Sequence, residues 1–352
     1  MTDYRPPYRA AVISGLGVFV LYLLTLSPST AMWDTSEYIA TAHILGIPHP
    51  PGNPLFVVVA KAWSLLLAPL GLSVAVRINI LAALTSAAAA GFYFLVIHRI
   101  LWGYLRADGP KRGREEVGEP HLSEAPHRLM LLVGTGAAVL LSATAFTVWN
   151  QSTVNEKVYT VSVLVIAAVT WLVLRWKDLK DDPRSTRYLL WAVYLLALGS
   201  TNHLMSVLPL PALVVFVALV GPAVLMDRKL WTRGILLVIL GLSFNFFLPV
   251  RAAQDPVIAE GDPACQGFGE AAVAIYSNGR QGCPALSQVL TRFQYQKPPL
   301  SDRQAPLGDQ LLNYFQYFDG QWARGLDPDG VPGGSRLPVT LLFLALGGWG
   351  LW

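Results

Sequence analysis

A short polar stretch, WDTSEYIATAHILGIPHPPGNP, follows the first long apolar run of the chain. It places Asp34 and Glu37 one helical turn apart and adds His49 and Asn53 around a Pro-rich turn. If residues 34 to 45 form a helix, steps of about 100° per residue bring both carboxylates to one face. Such a pair suits general acid–base chemistry, because a partly desolvated carboxylate beside a like charge is expected to have a raised pKa.

The same residues also have a purely structural interpretation. Asp34 could serve as the N-cap of the helix, and Glu37, three residues later, would then complete a capping box. Residue types alone favour neither interpretation. The HPPGNP run that follows is expected to form a rigid turn that lays the next apolar helix flat in the membrane interface.

Membrane helices are the elements that must position these residues. Hydrophobic residues make up 53% of the 352-residue chain and charged residues only 14%, whereas soluble domains carry about 25% charged residues. The apolar runs approach the roughly 20 residues that a membrane helix needs, and the alternating strands of a barrel are missing. The sequence therefore predicts an all-α polytopic membrane protein. The expected spans are residues 9–27, 77–97, 129–148, 158–175, 188–202, 204–220, 231–250 and, incompletely, 337 to the end.

The run at residues 54–70 decides the predicted topology. It is apolar but short, and Lys61 lies in its middle. If it rests in the interface instead of crossing, most of the 26 Lys and Arg residues fall on one side, as expected for the cytoplasmic side. We therefore expect a cytoplasmic N-terminus. The outer loops would be residues 28–76, 149–157, 201–204 and 251–336.

This topology collects polar residues at the outer surface, and we expect the chemistry there. Candidates for binding the donor phosphate or the substrate are His49 and Asn53 in the first outer loop, Glu156, Lys157 and Tyr159 in the second, Asn202 and His203 in the third, and Arg251 at the start of the fourth. Ionisable residues at mid-depth, which an ion-coupled transporter needs, are almost absent from the predicted spans. Lys157 and Arg251 could equally snorkel to lipid headgroups.

The long outer region from 251 to 336 is expected to contribute to acceptor recognition, or to anchor at the interface through its aromatic residues. It contains both cysteines, Cys265 and Cys283, and an oxidising compartment would permit a disulfide between them. We expect a transmembrane module over residues 1–250 before this region and the start of a further helix over 337–352 after it. The basic inner loops are expected to face lipid headgroups and not nucleic acid.

The chain also resembles a known family through a series of motifs in order. These are WDTSEYIATAHILGIPHPPGNPLF, VRINILAAL, WNQSTVNEKVYTVSVL, GSTNHLMSVLPLPAL, FLPVRAAQDP and LTRFQYQKPP. They resemble the bacterial membrane proteins related to the animal protein O-mannosyltransferases that modify plexin-type receptors, within the GT-C glycosyltransferase superfamily. The resemblance implies a GT-C-like helix bundle with its catalytic residues in the first outer loop. It also implies inverting transfer of a mannose-like sugar from a polyprenyl-phosphate donor to a hydroxyl of a protein or envelope glycan.

Carried to this chain, the resemblance implies that Asp34 is the general base and that Glu37 positions the acceptor. The leaving phosphate needs cationic or hydrogen-bonding partners, for which Lys157, His203 and Arg251 are candidates. The family usually has an acidic residue directly before Val-Tyr. Here that place is occupied by Lys157, with Glu156 one position earlier, so the roles of this pair stay open.

No cofactor is expected. Asp34, Glu37 and His49 could hold a divalent ion in principle, but they are fewer ligands than a hard cation prefers. Two other classes of protein remain as alternatives to the enzyme. One is a transporter or flippase of lipid-linked sugars, and the other is a noncatalytic membrane scaffold.

Overall fold

The computed structural model of the chain describes residues 4–31, 33–107, 125–154, 157–260, 265–291, 293, 302–325, 327 and 334–351. Within these ranges the chain forms fifteen α-helices and no β-strand, apart from one isolated bridge between Ile47 and Ala259. The predicted all-α membrane class is confirmed. Four segments of the described chain are long and apolar enough to cross a bilayer: Val74–Leu105, His127–Thr144, Val158–Asp178 and Arg228–Ala252.

In chain order the helices are α1 (Tyr8–Leu24), α2 (Thr35–Ile44), α3 (Pro54–Leu66), α4 (Val74–Ala107), α5 (Ala125–Thr144), α6 (Phe146–Thr153), α7 (Val158–Asp178), α8 (Thr186–Ser200), α9 (Leu210–Val220), α10 (Arg228–Leu242), α11 (Phe247–Ala252), α12 (Phe268–Tyr276), α13 (Pro284–Thr291), α14 (Leu307–Asp319) and α15 (Leu337–Leu351). They fall into two compact units. The first comprises residues 1–140 and 151–294, and the second comprises residues 141–150 and 295–352. The predicted outer region 251–336 is thus divided between the two units.

Proline shifts several predicted helix ends. The first span was expected to reach residue 27 but ends at Leu24, ahead of Pro28. A proline disfavours helical backbone at the residue that precedes it. The span expected at 204–220 becomes a 3₁₀ turn followed by α9, whose start contains Pro211. The span expected at 231–250 begins at Arg228, and a 3₁₀ turn separates its last part, α11, which contains Pro249.

Helix α4 is the centre of the first unit. It packs against α1 and α7, while α7 packs against α8, and α8 packs against α10. A buried cluster joins α2, α3, α4 and the start of α7, with Tyr38, Phe56, Ile78 and Val158 among its members. This cluster fixes the polar first loop to the membrane helices.

Helix α3 is the apolar segment on which the predicted topology depends. Its 13 residues span roughly 20 Å, too short for a hydrocarbon core of about 30 Å. One face, with Phe56, Val57 and Ala60, is buried against the cluster, and the opposite side exposes Leu65 and Leu66. These features favour the predicted placement of α3 in the membrane interface.

A close contact between α1 and α4 requires glycine. A Cβ atom at Gly15 would lie 3.0 Å from the carbonyl oxygen of Ala87, whereas a Cβ at Gly17 would meet nothing within 4 Å. We expect Gly15→Val to destabilise the protein by about 1–3 kcal/mol, because the backbones must separate. Thermal unfolding in nanodiscs measures this loss. Gly17→Val is the matched control on the same helix, and equal losses in the two variants would contradict the prediction.

At the ends of α4 and α7 farthest from α2, a buried ion pair joins the two helices. The Nη2 and Nε atoms of Arg99 lie 2.7 and 2.8 Å from Oδ1 of Asp178, whose side chain is 1% exposed. Arg175 adds a second, longer contact to the same carboxylate at 3.4 Å. The guanidinium of Arg99 also lies 5.1 Å from the ring centroid of Tyr4 and 5.0 Å from that of Trp102. This pair therefore holds the N-terminal segment as well as two central helices.

A disulfide links Cys265 and Cys283, whose Cα atoms are 5.4 Å apart. The bond connects the segment before α12 to the start of α13. These two helices also pack against each other.

Candidate active site

Asp34 occupies the N-cap position of α2, but its side chain makes no capping hydrogen bond. The carboxylate is 45% exposed. Glu37 does not complete a capping box either, because its oxygens are bonded elsewhere. The structural interpretation of the Asp34–Glu37 pair is therefore wrong, and Asp34 presents a carboxylate at the surface of the loop.

Glu37 is held by His49. Its Oε1 atom accepts a hydrogen bond from the backbone N–H of His49 at 2.6 Å, and its Oε2 atom lies 2.7 Å from His49 Nδ1. Burial opposes the charged form of Glu37, but the hydrogen bonds from the side chain and backbone of His49 outweigh it and lower the pKa of Glu37. The expected rise in carboxylate pKa is wrong for Glu37, since its nearest partner is a base.

The effect on His49 is reciprocal. The hydrogen bond to Glu37 raises the pKa of His49, against the opposing effect of burial, and the charges of Glu37, Asp34 and Glu260 raise it further. Glu260 comes near because the backbone of Ile47 pairs with the segment before it: Ile47 N–H donates to Ile258, and Glu260 N–H donates to Ile47. No pattern in the sequence indicated the contribution of Glu260.

The Pro-rich turn carries His49 back over α2, a placement that the sequence did not predict. It contains a cis peptide bond between Pro50 and Pro51, and Gly52 and Asn53 both have positive φ, at 81° and 38°. Gly52 is required here, because a Cβ atom would lie 2.7 Å from the Leu248 side chain and the backbone conformation favours glycine. Asn53 then begins α3 as its N-cap residue.

Tyr38 is a site residue that the sequence interpretation gave no role. Its hydroxyl lies 3.3 Å from His49 Nε2 and donates to Asn53 Oδ1 at 3.4 Å. The signal in the sequence was its place on the same helical face as Asp34 and Glu37. A buried tyrosine hydroxyl normally finds a polar partner, and here the partners are two predicted site residues.

Asn53 and Asn202 tie the first and third loops to α7. Asn53 Nδ2 donates to the carbonyl of Asn202 at 2.5 Å, and Asn202 Nδ2 donates to the carbonyl of Val158 and to Ser162 Oγ, at 2.8 and 2.9 Å. Both asparagines are fully buried. Their contacts hold the first and third loops against the start of α7. That these two residues bind the donor remains a prediction.

Arg251 contacts the C-terminal end of α2. Its Nε atom donates to the carbonyl of Leu45 at 2.6 Å, and its Nη2 atom donates to that of Ile44 at 3.3 Å. These carbonyls lie at the C-terminal end of α2, where a helix leaves acceptors without intrahelical partners and favours a cation. Arg251 thus positions the helix that carries Asp34 and Glu37, across more than 200 residues of sequence.

Lys157, Tyr159 and His203 lie around the start of α7. The ring of Tyr159 packs against that of His203 with centroids 5.0 Å apart, and His203 Nδ1 accepts a hydrogen bond from Met205 N–H. Lys157 is fully buried, and its Nζ atom has no hydrogen-bond partner among the described residues. Burial lowers the pKa of Lys157 to about 7. Glu156, the other member of the predicted pair, lies outside the described residues.

The burial of Lys157 has a pH-dependent cost. Its pKa falls from the ordinary 10.5 to about 7 in the folded protein, so the unfolded chain binds the proton more tightly. The full penalty applies below pH 7 and disappears as the pH rises toward 10.5. We expect Lys157→Met to stabilise the protein by on the order of 3 kcal/mol below pH 7 and by progressively less above it. Unfolding measured from pH 6 to 10 tests this, and the exposed Lys180→Met is the control. A gain independent of pH would contradict it.

Asp34, Glu37 and His49 form one compact group. Each offers a possible ligand atom, and these atoms lie within 4.8 Å of one another. Glu37 Oε2 is already bonded to His49 Nδ1, and Glu37 Oε1 accepts from the backbone N–H of His49, so we assign no metal here. The nearest approach of His49 to Asp34 is 3.9 Å, from Nε2 to Oδ2. The arrangement offers one partly exposed carboxylate supported by a partly buried acid–base pair.

Comparison with known proteins identifies the family. A family model described as the N-terminal domain of the protein O-mannosyl-transferase TMEM260 matches residues 34–222, more than half of the chain. The chain belongs to this family. The matched TMEM260-type segment begins at Asp34 and contains every candidate site residue except Arg251 and the two cysteines.

Curated relatives of the TMEM260 family match shorter stretches. A protein O-mannosyl-transferase TMEM260 from Mus musculus is 38% identical over 99 residues, which cover 27% of this chain and 14% of the mouse protein. One from Dictyostelium discoideum is 34% identical over 83 residues, covering 24% of this chain and 10% of the relative. The chain thus matches only a small part of each relative's length. No solved structure matches the chain.

Proposed function

We propose that this chain is the membrane-embedded module of a glycosyltransferase with a GT-C-like fold. It moves a mannose-like sugar from a polyprenyl-phosphate donor to a hydroxyl of a protein or envelope glycan on the outer face of the membrane. The observation that carries the proposal is the state of Asp34. It is a partly exposed carboxylate, free of a capping role, beside a hydrogen-bonded acid–base pair at the start of the family-matched segment.

In the proposed reaction, Asp34 removes the proton from the acceptor hydroxyl. The hydroxyl oxygen forms a bond to the anomeric carbon of the sugar from the face opposite the phosphate. The bond between that carbon and the phosphate oxygen breaks, and its electron pair leaves with the polyprenyl phosphate. The configuration of the sugar is inverted. A carboxylate base of this kind typically accounts for a 10²- to 10⁴-fold acceleration.

The leaving phosphate requires neutralisation, and Lys157 is the cation that best suits this role. Its amino group has a pKa of about 7 and no partner among the described residues, so a bound phosphate would supply a partner and favour the charged ammonium form. His203 lies at the same end of α7 through its contact with Tyr159. Arg251 already uses its Nε and one Nη atom to hold α2, so we assign it to positioning. We propose the reaction without a metal ion, because Asp34, Glu37 and His49, the one group of possible ligands among the described residues, offer fewer ligands than a hard cation prefers.

The test is a direct transfer assay. The protein is purified in nanodiscs, the copurified lipids are identified by mass spectrometry, and radiolabelled mannosyl-phospho-polyprenol is then supplied with a Ser/Thr-rich peptide or with envelope extract. Covalent label on the acceptor, with free polyprenyl phosphate as the second product, is the expected result. Translocation of the labelled lipid across vesicles without transfer would overturn the proposal in favour of a flippase. The absence of both, with no bound donor, would favour a scaffold.

A further inference from the structure

The contact between Glu37 and His49 determines where the imidazole carries its protons. The pKa of Glu37 is lowered, so its carboxylate is ionised near neutral pH and can only accept hydrogen bonds. His49 Nδ1, at 2.7 Å from Oε2, must therefore be the donor and carry a hydrogen. The neutral imidazole then has its lone pair on Nε2. Proton exchange by this ring is confined to Nε2.

The surroundings of Nε2 suit such an exchange. It faces Asp34 Oδ2 at 3.9 Å and the Tyr38 hydroxyl at 3.3 Å. Tyr38 can donate to Nε2 when the ring is neutral. When the ring is charged, Tyr38 can accept from Nε2 while it donates to Asn53 Oδ1, the bond that is present in the structure. The hydroxyl therefore accommodates both protonation states without moving.

We propose that His49 is the second proton carrier of the site and that Glu37 is the residue that positions it. Asp34 takes the proton from the hydroxyl of the sugar acceptor and becomes a carboxylic acid. His49 Nε2 then takes that proton, which restores the Asp34 carboxylate and converts the ring to imidazolium, and the imidazolium releases the proton to water. A rotation of the Asp34 side chain, which no capping bond restrains, closes the distance. This proposal rests on the proposed function and replaces the predicted roles of Glu37 in holding the acceptor and of His49 in binding the donor.

The charges around His49 favour its role as a proton acceptor. Asp34 and Glu37 face it from α2, and Glu260 reaches it from the segment paired with Ile47. All three carboxylates raise the pKa of His49, so the ring binds a proton more strongly than an ordinary histidine does. Among the described residues, the uncharged hydroxyl of Tyr38 also contacts the ring, and Tyr38 in turn donates to Asn53.

The kinetic test compares two variants with a matched control. We expect His49→Gln to lower kcat about tenfold to a hundredfold, with little change in donor KM. Glu37→Gln keeps an oxygen that accepts from Nδ1 but removes the charge that raises the pKa of His49. The limb of the pH profile that rises as His49 deprotonates should therefore move to lower pH. His43→Gln changes an exposed histidine of α2, the helix that carries Glu37, and its kinetics should match those of the wild type.

Added imidazole should partly restore transfer in His49→Gly, which a merely structural role would not allow. Equal kcat values in His49→Gln and His43→Gln, or an unmoved pH limb in Glu37→Gln, would overturn the proposal.

A separate measurement is independent of sugar transfer. ¹⁵N NMR of labelled histidine in the intact protein should show His49 with its neutral hydrogen on Nδ1 and a titration midpoint that falls in Glu37→Gln. A hydrogen on Nε2 would overturn the inference even if transfer is observed. Absent transfer with the expected spectrum would instead count against the proposed function alone.

Discussion

Asp34→Asn is expected to reduce sugar transfer by about 10²- to 10⁴-fold while the protein still folds and inserts. The amide has the size of the carboxylate but cannot take the proton from the hydroxyl of the sugar acceptor. The fold should persist because the Asp34 side chain makes no capping hydrogen bond and is 45% exposed. Single-turnover transfer with excess enzyme measures the chemical step, and binding of the lipid donor should be nearly unchanged.

Glu270→Gln provides the control for this variant. It makes the same carboxylate-to-amide change at an exposed residue in the first turn of α12. Its transfer rate should equal that of the wild type. If Asp34→Asn retains full activity, or loses donor binding and thermal stability together, then Asp34 is not the base and the assignment of the site is wrong.

Asp178→Ala is expected to cause the largest loss of stability, about 3–5 kcal/mol. The change removes the carboxylate that pairs with Arg99 at 2.7 Å and leaves a guanidinium in a buried place. Arg175, at 3.4 Å, loses the same partner. A lone buried charge is far more costly than a buried pair, since nothing repays its desolvation. Equilibrium unfolding in nanodiscs measures the change.

Two further variants test this explanation. Replacing Arg99 and Asp178 together by leucine should recover much of the loss, because no unpaired charge of that pair remains. Asp182→Ala, at a partly exposed position that caps a 3₁₀ turn, should cost only about 1 kcal/mol. A loss for Asp178→Ala no greater than that for Asp182→Ala would show that the ion pair contributes little.

The helical class and most of the helices could be predicted because they depend on local properties. A run of apolar residues of membrane length forms a helix wherever it meets lipid, and the four long segments fall at predicted positions. Asp34 and Glu37 could be placed on one helical face from their spacing alone. Helix ends were less accurate where proline interrupts an apolar run, as between α9 and the 3₁₀ turn before it.

The roles of single polar residues could not be predicted in the same way. Arg251 lies more than 200 residues from the α2 carbonyls that it binds, and no pattern in the sequence links them. Lysine is usually found at the surface. Lys157 is nevertheless fully buried, because its neighbour Val158 joins the cluster with Tyr38 and Phe56. Charge and spacing indicated that these residues matter, but not what they contact.

For this protein the sequence by itself determined the membrane class, the family resemblance and the candidate carboxylates, because each depends on residue type and short-range spacing. Only the tertiary structure decided that Glu37 binds His49 instead of capping α2, and that Asp34 is left as the exposed carboxylate. The physical reason is the turn from His49 to Asn53, which brings an imidazole 12 residues away within 2.7 Å of one carboxylate and 3.9 Å of the other. Hydrogen bonds at such distances depend on how the chain folds back on itself, and residue order alone does not specify that.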